Sequence, residues 1–577
     1  MSKVMKVIYI LMASFILSSC MDLYPKGQLS DSQVWSTAEN FRLFANQYYS
    51  WTRDFQGSGS VTYMNGVNEG PHSDLRSDLL CQSTVNVFSA GTNSIPSTDA
   101  NYTEIYKRLY YTNLLLEKAK TFEPADEIRE PVAEAYFFRA YLHFELVQMF
   151  GDCILLDKVI DLNDKKVYGE RNNRLEVIQQ CIEDLKAATG LLEETPSEEG
   201  RLCRYTALAL LSRIALYEGT WQKYHLDDIE TSGKLFLEAV QAAQAVMESK
   251  KYELFGSSQL EAGENYRYMF ILEDVRCNPA SLTKSDNKEY ILARRHDQVL
   301  KPIGTDVTHA SLNNAYYVTR KLADMYRCQD GLPIALSPLF RGYATAVSEF
   351  ENRDNRMNAT LLKHGQNYWD NDGKWRTSWN QEDLAVSHVA NVRRNSGYAN
   401  YKWASERQVT DRQESYDYPV IRYAEVLLNY AEATYEYNEA ITDQQLDISL
   451  NLVRARCNPE MTPLSNRLIS DNASNGMNML EEIRAERTIE LFMEGFRIDD
   501  LKRWKLAEVE MPQNLVGVQY SDTWFESNWT DQNRILDEQG RILLYDSRRW
   551  ETKHYLLPLP NDEIQLNPLL GQNPNWK

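Results

Sequence analysis

Aromatic side chains crowd one polar, glycine-containing stretch of the chain, where no helical periodicity accounts for them. The rings belong to Tyr368, Trp369, Trp375 and Trp379. Such rings can stack on the apolar face of a sugar while neighbouring polar groups bond its hydroxyl groups. The polar candidates are Asp370, Asn371, Asp372 and Arg376. An equally good interpretation is that the rings fill a small local core beneath the loop.

Two further loop segments combine hydrogen-bonding groups with rings or basic side chains. The first contains Tyr63, Asn65, His72, Asp74, Arg76 and Asp78. The second, from Arg294 to Tyr316, contains Arg295, His296 and His309. Loops held on a rigid scaffold are where binding residues concentrate. We therefore predict a binding site in these loops, with the candidate residues Tyr63, Asp74, Arg76, Trp369, Trp375 and Trp379.

Cys20 has the most specific chemistry that the sequence predicts. Lys3 and Lys6 precede an apolar run, residues 7–17, which is typical of an export signal and too short to span a bilayer comfortably. Leu17-Ser18-Ser19-Cys20 resembles the bacterial lipobox, in which the thiol receives a diacylglycerol and the signal is cleaved. Multiple acyl chains hold a protein on a membrane almost irreversibly. We predict cleavage after residue 19 and lipidation of Cys20; the alternative is an ordinary signal with a chance cysteine.

No catalytic or metal-binding motif accompanies these segments. The sequence lacks HExxH, GxSxG and a Walker phosphate-binding loop. With 82 Asp and Glu residues, neighbouring carboxylates such as Asp499-Asp500 arise by chance and do not indicate a glycosidase. Residues 370–373 fail as a calcium loop, because Tyr368 and Trp379 would stand where carboxylates are required. We expect no enzyme, no cofactor and no metal site, with a secreted glycoside hydrolase as the less favoured alternative.

The charge and composition of the chain limit the classes of partner that it can bind. The formal net charge of -20 and a pI near 5.0 argue against nucleic acid and anionic lipid surfaces, since both would repel the chain. Seven cysteines follow Cys20 in scattered positions without a CxxC pair, so we expect buried free thiols. No stretch after Cys20 approaches the roughly 20 apolar residues of a membrane-spanning helix.

Helical periodicity dominates on both sides of a long irregular region. Helices are predicted around residues 41–48, 133–152 with a break at Gly151, 175–192, 204–221 with a stop at Gly219, and 233–249. Residues 51–96 and 251–418 are predicted as loops with short strands, one of them at 289–293. Helix returns at 418–433, with Pro419 in its first turn, and at about 477–493. The pattern is typical of tetratricopeptide-type helix pairs.

Four blocks, in order along the chain, carry a resemblance to a known family. They are AEAYFFRAYLHFELVQMFGD (133–152), YPVIRYAEVLLNYAEA (418–433), LEEIRAERTIELFMEGFRIDDLKRWK (480–505) and HYLLPLPNDEIQLNPLLGQNPNW (554–576). In these blocks the chain resembles the SusD/RagB family, surface lipoproteins that serve outer-membrane transporters in glycan utilisation. The resemblance covers essentially the whole mature chain.

The resemblance implies a mainly α fold, with tetratricopeptide-type helix pairs as scaffold and an irregular, loop-rich α/β insertion. The implied regions are a signal peptide at 1–19, an amino-terminal region at 20–250 and a carboxy-terminal region at 251–577. The latter divides into an insertion at 251–417, helices at 418–505 and an extended tail at 506–577. Family analogy favours convergence of the loops at 63–78 and 368–379 on one site.

The resemblance also implies a partner and a location. The protein would stand on the outer membrane, lipid-anchored and facing the exterior, and would deliver an oligosaccharide to a SusC-like, TonB-dependent transporter. Capture of peptides or another nutrient is the alternative, because the residues do not separate the two ligand classes.

The third block contains charge pairs that could be either exposed to solvent or buried. Opposite charges stand at i,i+3 and i,i+4 spacing on one helix, at Arg484, Glu486, Arg487, Glu490 and Glu494. A solvated helix face is favoured over a buried charged seam. The prolines of the last block are predicted to hold the tail extended, so that it lies back across the body.

Overall fold

The structure is a computed structural model that describes residues 34–55, 73–82, 85–161, 164–304, 307–308, 317–363, 366, 368–369, 375–376, 396–405, 412–528 and 534–577. Within these ranges the chain is mainly helical, and no helix is long and apolar enough to cross a membrane. The helices of the first part are α1 Ala38–Ala45, α2 Val87–Ala90, α3 Ala100–Ala119, α4 Arg129–Phe150, α5 Arg174–Leu191, α6 Arg204–His225, α7 Ile229–Ser249, α8 Ala262–Phe270, α9 Arg320–Met325 and α10 Asn355–Thr360.

The second part contains shorter helices, and short strands occur throughout. The helices are α11 Tyr423–Asn438, α12 Asp443–Asp447, α13 Leu450–Cys457, α14 Asn466–Asn472, α15 Met479–Glu490, α16 Arg497–Arg503, α17 Ala507–Glu510, α18 Trp524–Asn528 and α19 Asn561–Leu566. The strands are β1 Leu80–Cys81, β2 Tyr290–Arg294, β3 Tyr317–Val318, β4 Tyr368–Trp369, β5 Trp375–Arg376, β6 Tyr418–Arg422, β7 Leu515–Gln519 and β8 Arg541–Tyr545. They pair in twos, as β1–β3, β2–β6, β4–β5 and β7–β8.

The amino-terminal half is a row of helices in which each helix packs on the next. The contacts run from α3 through α4, α5 and α6 to α7, which then packs on α11. α4 ends at Gly151, whose φ of 72° is a left-handed value that glycine adopts readily. The predicted bounds of α4, α5 and α7 agree with the structure to within about one helical turn. The row confirms the predicted mainly α scaffold.

Gly219 does not end α6, so the predicted stop at this residue is wrong. The helix continues to His225, and Gly219 is buried where α6 packs on α7. A Cβ atom at position 219 would lie 2.7 Å from Cε1 of Phe236 in α7. Glycine is therefore required here because two helices approach each other closely. The periodicity of the sequence does not distinguish such a glycine from one that ends a helix.

The segment at Tyr418 begins as a strand, so the prediction that Pro419 lies in a first helical turn is wrong. β6 pairs antiparallel with β2, with Arg422 opposite Tyr290 and Tyr418 opposite Arg294. The residue before a proline is biased towards extended backbone, which favours a strand. α11 begins only at Tyr423. The strand pair thereby joins the irregular insertion to the carboxy-terminal helices.

The carboxy-terminal tail contains an antiparallel hairpin of β7 and β8 and packs across the body as predicted. It is not extended throughout, since the helix α19 lies between Pro560 and Pro568. Asn573 Nδ2 donates to the carbonyl of Phe150 at 2.9 Å. The N–H of Leu557 donates to the carbonyl of Met149 at 2.7 Å. The tail therefore supplies partners to carbonyl groups in the last turn of α4, which have none within the helix.

Four of the charged side chains that the sequence placed on this helix face, Glu486, Arg487, Glu490 and Glu494, are buried, so the predicted solvated face is wrong. Glu486, Glu490 and Glu494 are each at most 2% exposed. Among the described residues they belong to a connected, charge-balanced ion network of Glu289, Asp354, Glu486, Glu490, Glu494, Arg356, Lys402, Arg422, Arg454 and Arg456. The network joins the insertion to α13 and α15.

The seven cysteines that follow Cys20 are free and buried, which confirms the predicted thiols. Burial raises the pKa of Cys153 to about 12 and that of Cys457 to about 11. These thiols stay protonated at neutral pH, so they act as small apolar core residues.

Candidate ligand-binding site

The aromatic loop forms a β-hairpin in the structure. β4 pairs antiparallel with β5, with Trp369 opposite Trp375 and Tyr368 opposite Arg376. Two of the tryptophans predicted to bind ligand are therefore cross-strand neighbours. Trp379 and residues 370–374 lie outside the described residues.

The insertion that carries this hairpin has both of its flanks at one place beside α10. The N–H of Leu362 donates to the carbonyl of Ala399 at 3.0 Å. The N–H of Tyr401 donates to the carbonyl of Thr360, the last residue of α10, at 2.7 Å. The two flanks of this segment therefore lie next to each other, and we call this place the root of the hairpin.

A polar pocket of about 480 Å³ lies at this root, and we call it the amide pocket. Its amide side chains are Gln329, Asn355, Asn358, Gln366 and Asn458. The other polar side chains that line it are Glu261, Glu264, Arg267, Tyr401 and Glu460. A volume of this order, with several convergent polar groups, is typical of small-molecule sites. Gln366 stands two residues before β4, which places the pocket next to the hairpin in sequence as well as in space.

Hydrogen bonds fix the floor of the amide pocket. Asn458 Nδ2 donates to Asp354 Oδ1 at 2.8 Å, and Asn355 Nδ2 donates to the carbonyl of Cys457 at 2.8 Å. The N–H of Asn355 donates to Asn458 Oδ1 at 2.7 Å. At Gly263 of α8, a Cβ atom would lie 2.9 Å from Cβ of Asn355, so glycine permits the close approach. These contacts hold α8, α10 and the end of α13 around the pocket.

Arg267 and Tyr401 form one wall of the pocket. The guanidinium carbon of Arg267 lies 3.8 Å from the centroid of the Tyr401 ring, a cation–π contact. Burial raises the pKa of Tyr401 to about 12, so the phenol stays neutral at physiological pH. On another side, Gln366 Nε2 donates to the carbonyl of Asn358 at 2.7 Å. The lining thus offers both donors and acceptors, which suits a ligand rich in hydroxyl groups.

Asp74 and Arg76, two of the predicted ligand residues, lie in a buried turn. Asp74 is 0% exposed, and its Oδ2 accepts a hydrogen bond from the N–H of Met493 at 2.6 Å. Burial raises the pKa of Asp74 to about 7. The guanidinium carbon of Arg76 lies 4.0 Å from the ring centroid of Phe88. Both side chains contact protein groups, so their role in binding stays a prediction; Tyr63 lies outside the described residues.

Asp78 and His296, polar candidates of the two loop segments, also have protein partners, whereas Asn65 and His72 lie outside the described residues. Asp78 forms a buried ion pair with Arg497 at 2.7 Å. His296 Nε2 lies 2.8 Å from Asp54 Oδ1. His309 falls outside the described residues. In the part of the chain that the structure describes, no group of three or more His, Cys, Asp or Glu side chains is placed to hold a metal ion.

The chain belongs to the SusD family, because the SusD family model matches residues 281–576. A second family model, described as starch-binding associating with outer membrane, matches residues 28–216. The chain is 23% identical to SusD-like protein P2 of Formosa agariphila over 97% of both chains. It is 22% identical to SusD-like protein P38 of the same organism, over 88% of this chain and 92% of that protein.

Solved structures share the fold over almost their whole length. A SusD-like carbohydrate binding protein from Bacteroides fragilis superposes with a TM-score of 0.70 at 22% identity, covering 93% of this chain and 99% of that chain. Surface glycan-binding protein A from Bacteroides fluxus superposes with a TM-score of 0.60 at 18% identity, covering 94% and 100%. This likeness confirms the predicted SusD-like architecture.

Proposed function

We propose that the protein captures an oligosaccharide outside the cell and passes it, chemically unchanged, to a SusC-like, TonB-dependent transporter in the outer membrane. The observation that carries this proposal is the amide pocket at the root of the tryptophan hairpin. Membership of the SusD family supports it, as do the two solved neighbours, which are described as carbohydrate-binding and glycan-binding proteins.

Capture would combine stacking with hydrogen bonding. Trp369 and Trp375, cross-strand neighbours in the hairpin, supply aromatic residues for sugar faces. The amide pocket supplies the hydrogen-bonding capacity that its side chains do not use within the protein, such as Asn358 Oδ1, which has no hydrogen-bond partner among the described residues. Each such hydrogen bond has a net value of about 0.5–1.5 kcal/mol, so several together give reversible binding without covalent chemistry.

The anchor is the second part of the proposal. Lipidation of Cys20 would hold the protein on the outer membrane, and residues 21–30 would form the linker between lipid and body. The family model matched by residues 28–216 has outer-membrane association in its description, which supports this location. A tethered body stays close to its transporter, so the captured ligand does not diffuse away.

Arrays of oligosaccharides and of peptides, probed with the chain from residue 21 onward, test the ligand class. We expect binding to a set of related glycans and none to peptides. Selective binding to peptides would contradict glycan capture and favour the peptide alternative.

Two substitutions then test the site on the best glycan of the array. Trp375→Ala removes a ring from the hairpin, and Asn358→Leu removes hydrogen-bonding capacity from the amide pocket at similar size. Each is expected to weaken binding about tenfold, or about 1.4 kcal/mol, by titration calorimetry. Tyr110→Ala, at an exposed ring of α3, is the matched control and should bind as the unaltered protein does. Unchanged affinity in both site variants would remove this region from the site.

A further inference from the structure

A second polar pocket, of about 520 Å³, lies between α9 and the start of the carboxy-terminal hairpin. Its lining has an excess of positive charge, although the chain as a whole carries a net charge of -20. The cations are Arg320, Lys321, Arg541 and Arg548. The carboxylates are Asp78, Asp324 and Glu510. We call it the cationic pocket.

Arg548 has no carboxylate partner among the described residues. Its guanidinium, in a side chain 6% exposed, donates to the carbonyl groups of Ser77, Ser89 and Gln513, at 3.3, 3.0 and 3.1 Å. Burial lowers the pKa of Arg548 to about 10, which is the effect expected of a cation without a close counter-ion.

Arg320 has unused hydrogen-bonding capacity in the same pocket. Its side chain is 4% exposed, and its Nε lies 3.2 Å from Asp324 Oδ2. Its guanidinium carbon lies 4.1 Å from the ring centroid of Tyr343. The Nη1 atom is buried and has no hydrogen-bond partner among the described residues. A buried donor without a partner is unfavourable, and an acceptor in the pocket would supply the missing hydrogen bond.

The carboxylates of the lining are already engaged by basic groups. Arg497 binds both oxygens of Asp78, at 2.8 and 2.7 Å, although it does not line the pocket. Lys321 Nζ lies 2.7 Å from Glu510 Oε2. Arg541, the remaining cation with a carboxylate partner, pairs with Asp537 at 2.6 Å. With Asp324 beside Arg320, Arg548 is the lining cation that has no ion-pair partner among the described residues. Arginine presents paired N–H groups that match the oxygens of carboxylate and sulfate groups.

We propose that the cationic pocket binds an oxyanion, in the form of a carboxylate or sulfate group. Resting on the proposed function, we further infer that this group is a substituent of the captured glycan, which is therefore an acidic oligosaccharide. The pocket itself does not depend on glycan capture, because a free oxyanion is sufficient to fill it.

Titration calorimetry on the chain from residue 21 onward tests the site directly. The probes are glucuronate and inorganic sulfate, with glucose and chloride at matched ionic strength as neutral-sugar and anion controls. We expect glucuronate and sulfate to bind with saturation, and glucose and chloride not to. Because sulfate also strengthens protein folding through general exclusion from the surface, saturable heat and not a thermal shift is the criterion.

Two variants locate the bound group. Arg541→Gln removes one partly exposed charge of the pocket, and Arg320→Lys keeps the charge but removes the planar donors. Both are expected to weaken glucuronate binding at least tenfold, about 1.4 kcal/mol. Arg467→Gln makes the same charge change at an exposed position of α14 and should leave binding unchanged. Equal affinity in all four proteins, or no binding to the unaltered chain, overturns the proposal.

The results of these experiments distinguish failure of the cationic pocket from failure of the proposed glycan capture. Suppose that the protein binds glycans on the array, that Trp375→Ala weakens this binding, and that neither oxyanion binds. This result would overturn the cationic pocket and leave glycan capture intact. Binding of free glucuronate together with array binding to neutral glycans alone would support the pocket and overturn the acidic substituent. Array binding to acidic glycans that falls at least tenfold in Arg541→Gln supports both steps.

Discussion

Glu490 lies among three guanidinium groups in the core, with Arg356 Nη1 at 2.8 Å, Arg422 Nη1 at 2.7 Å and Arg456 also in contact. Burial alone would raise the pKa of this carboxyl, but Arg456, Arg422 and Arg356 together hold it well below its usual range. Removing one member of a buried ion network leaves the remaining charges uncompensated. We therefore expect buried charged residues such as Glu490 to affect the stability of the fold and not the ligand that the protein binds.

Glu490→Gln is therefore expected to destabilise the protein by about 3–5 kcal/mol, measured by urea unfolding. Glu481→Gln is the matched control, because Glu481 lies on the same helix and is exposed. That substitution should change the free energy of unfolding by no more than about 0.5 kcal/mol. Equal effects of the two substitutions would contradict the buried network.

Asp74 makes a pH-dependent contribution to stability. Its folded pKa of about 7 lies above the reference value of 3.8, because burial penalises the charged form. Stability from such a group is fully present below the unfolded pKa and is lost as pH rises through the folded pKa. Between about pH 4 and pH 7 the unaltered protein should therefore lose stability relative to Asp74→Asn.

Melting temperatures at several pH values in that window measure the effect. The difference between the unaltered protein and Asp74→Asn should change with pH, whereas Asp471→Asn, at an exposed position, should follow the unaltered protein. A constant difference across the window would show that Asp74 does not titrate there.

At the residue scale, the sequence predicted chemistry where the signal is local. Trp369 and Trp375 are conspicuous in a polar loop, and the hairpin register places them opposite each other. The amide pocket was missed, because Asn355, Gln366 and Asn458 come from separate segments and amides are common in loops. Three-dimensional convergence of common residue types has no signature in a single sequence.

At the scale of elements, helix contacts depend on where glycine is required. In α6, Gly219 faces Phe236 so closely that an added Cβ has no room. In α7, Gly233 has no atom within 4 Å of an added Cβ. The same substitution should therefore have opposite effects at the two positions.

Gly219→Ala is expected to destabilise the protein by about 1–3 kcal/mol through overpacking between α6 and α7. Gly233→Ala should stabilise it by about 0.4–1 kcal/mol, because alanine restricts the unfolded chain and favours helix. Urea unfolding of both variants measures the difference. Destabilisation by both would contradict the helix contact described for Gly219.

Helices with strong periodicity were predictable, and elements set by distant partners were not. α4 and α5 follow from apolar spacing and local end signals such as Gly151. β6 depends on pairing with β2, more than 120 residues earlier in the chain, which helical spacing does not reveal. The buried position of α15 depends on partners such as Arg356 and Arg422 from other segments.

For the whole molecule, we predict that lipidation of Cys20 determines where capture takes place. Cys20→Ala removes the thiol that would receive lipid, so the variant should leave the membrane fraction and appear in soluble fractions. The measurement is fractionation of cells that produce each form, with detection of the protein in every fraction. Unchanged membrane association of the variant would contradict lipid anchoring at Cys20.

The protein is proposed to capture its ligand without changing it chemically. The most direct measurement incubates the chain from residue 21 onward with the glycan that it binds best, and then analyses all sugar species by mass spectrometry. We predict saturable binding with the glycan recovered at its original length after prolonged incubation. Release of shorter products in proportion to protein concentration, from preparations free of contaminating enzymes, would contradict the account and indicate a glycoside hydrolase.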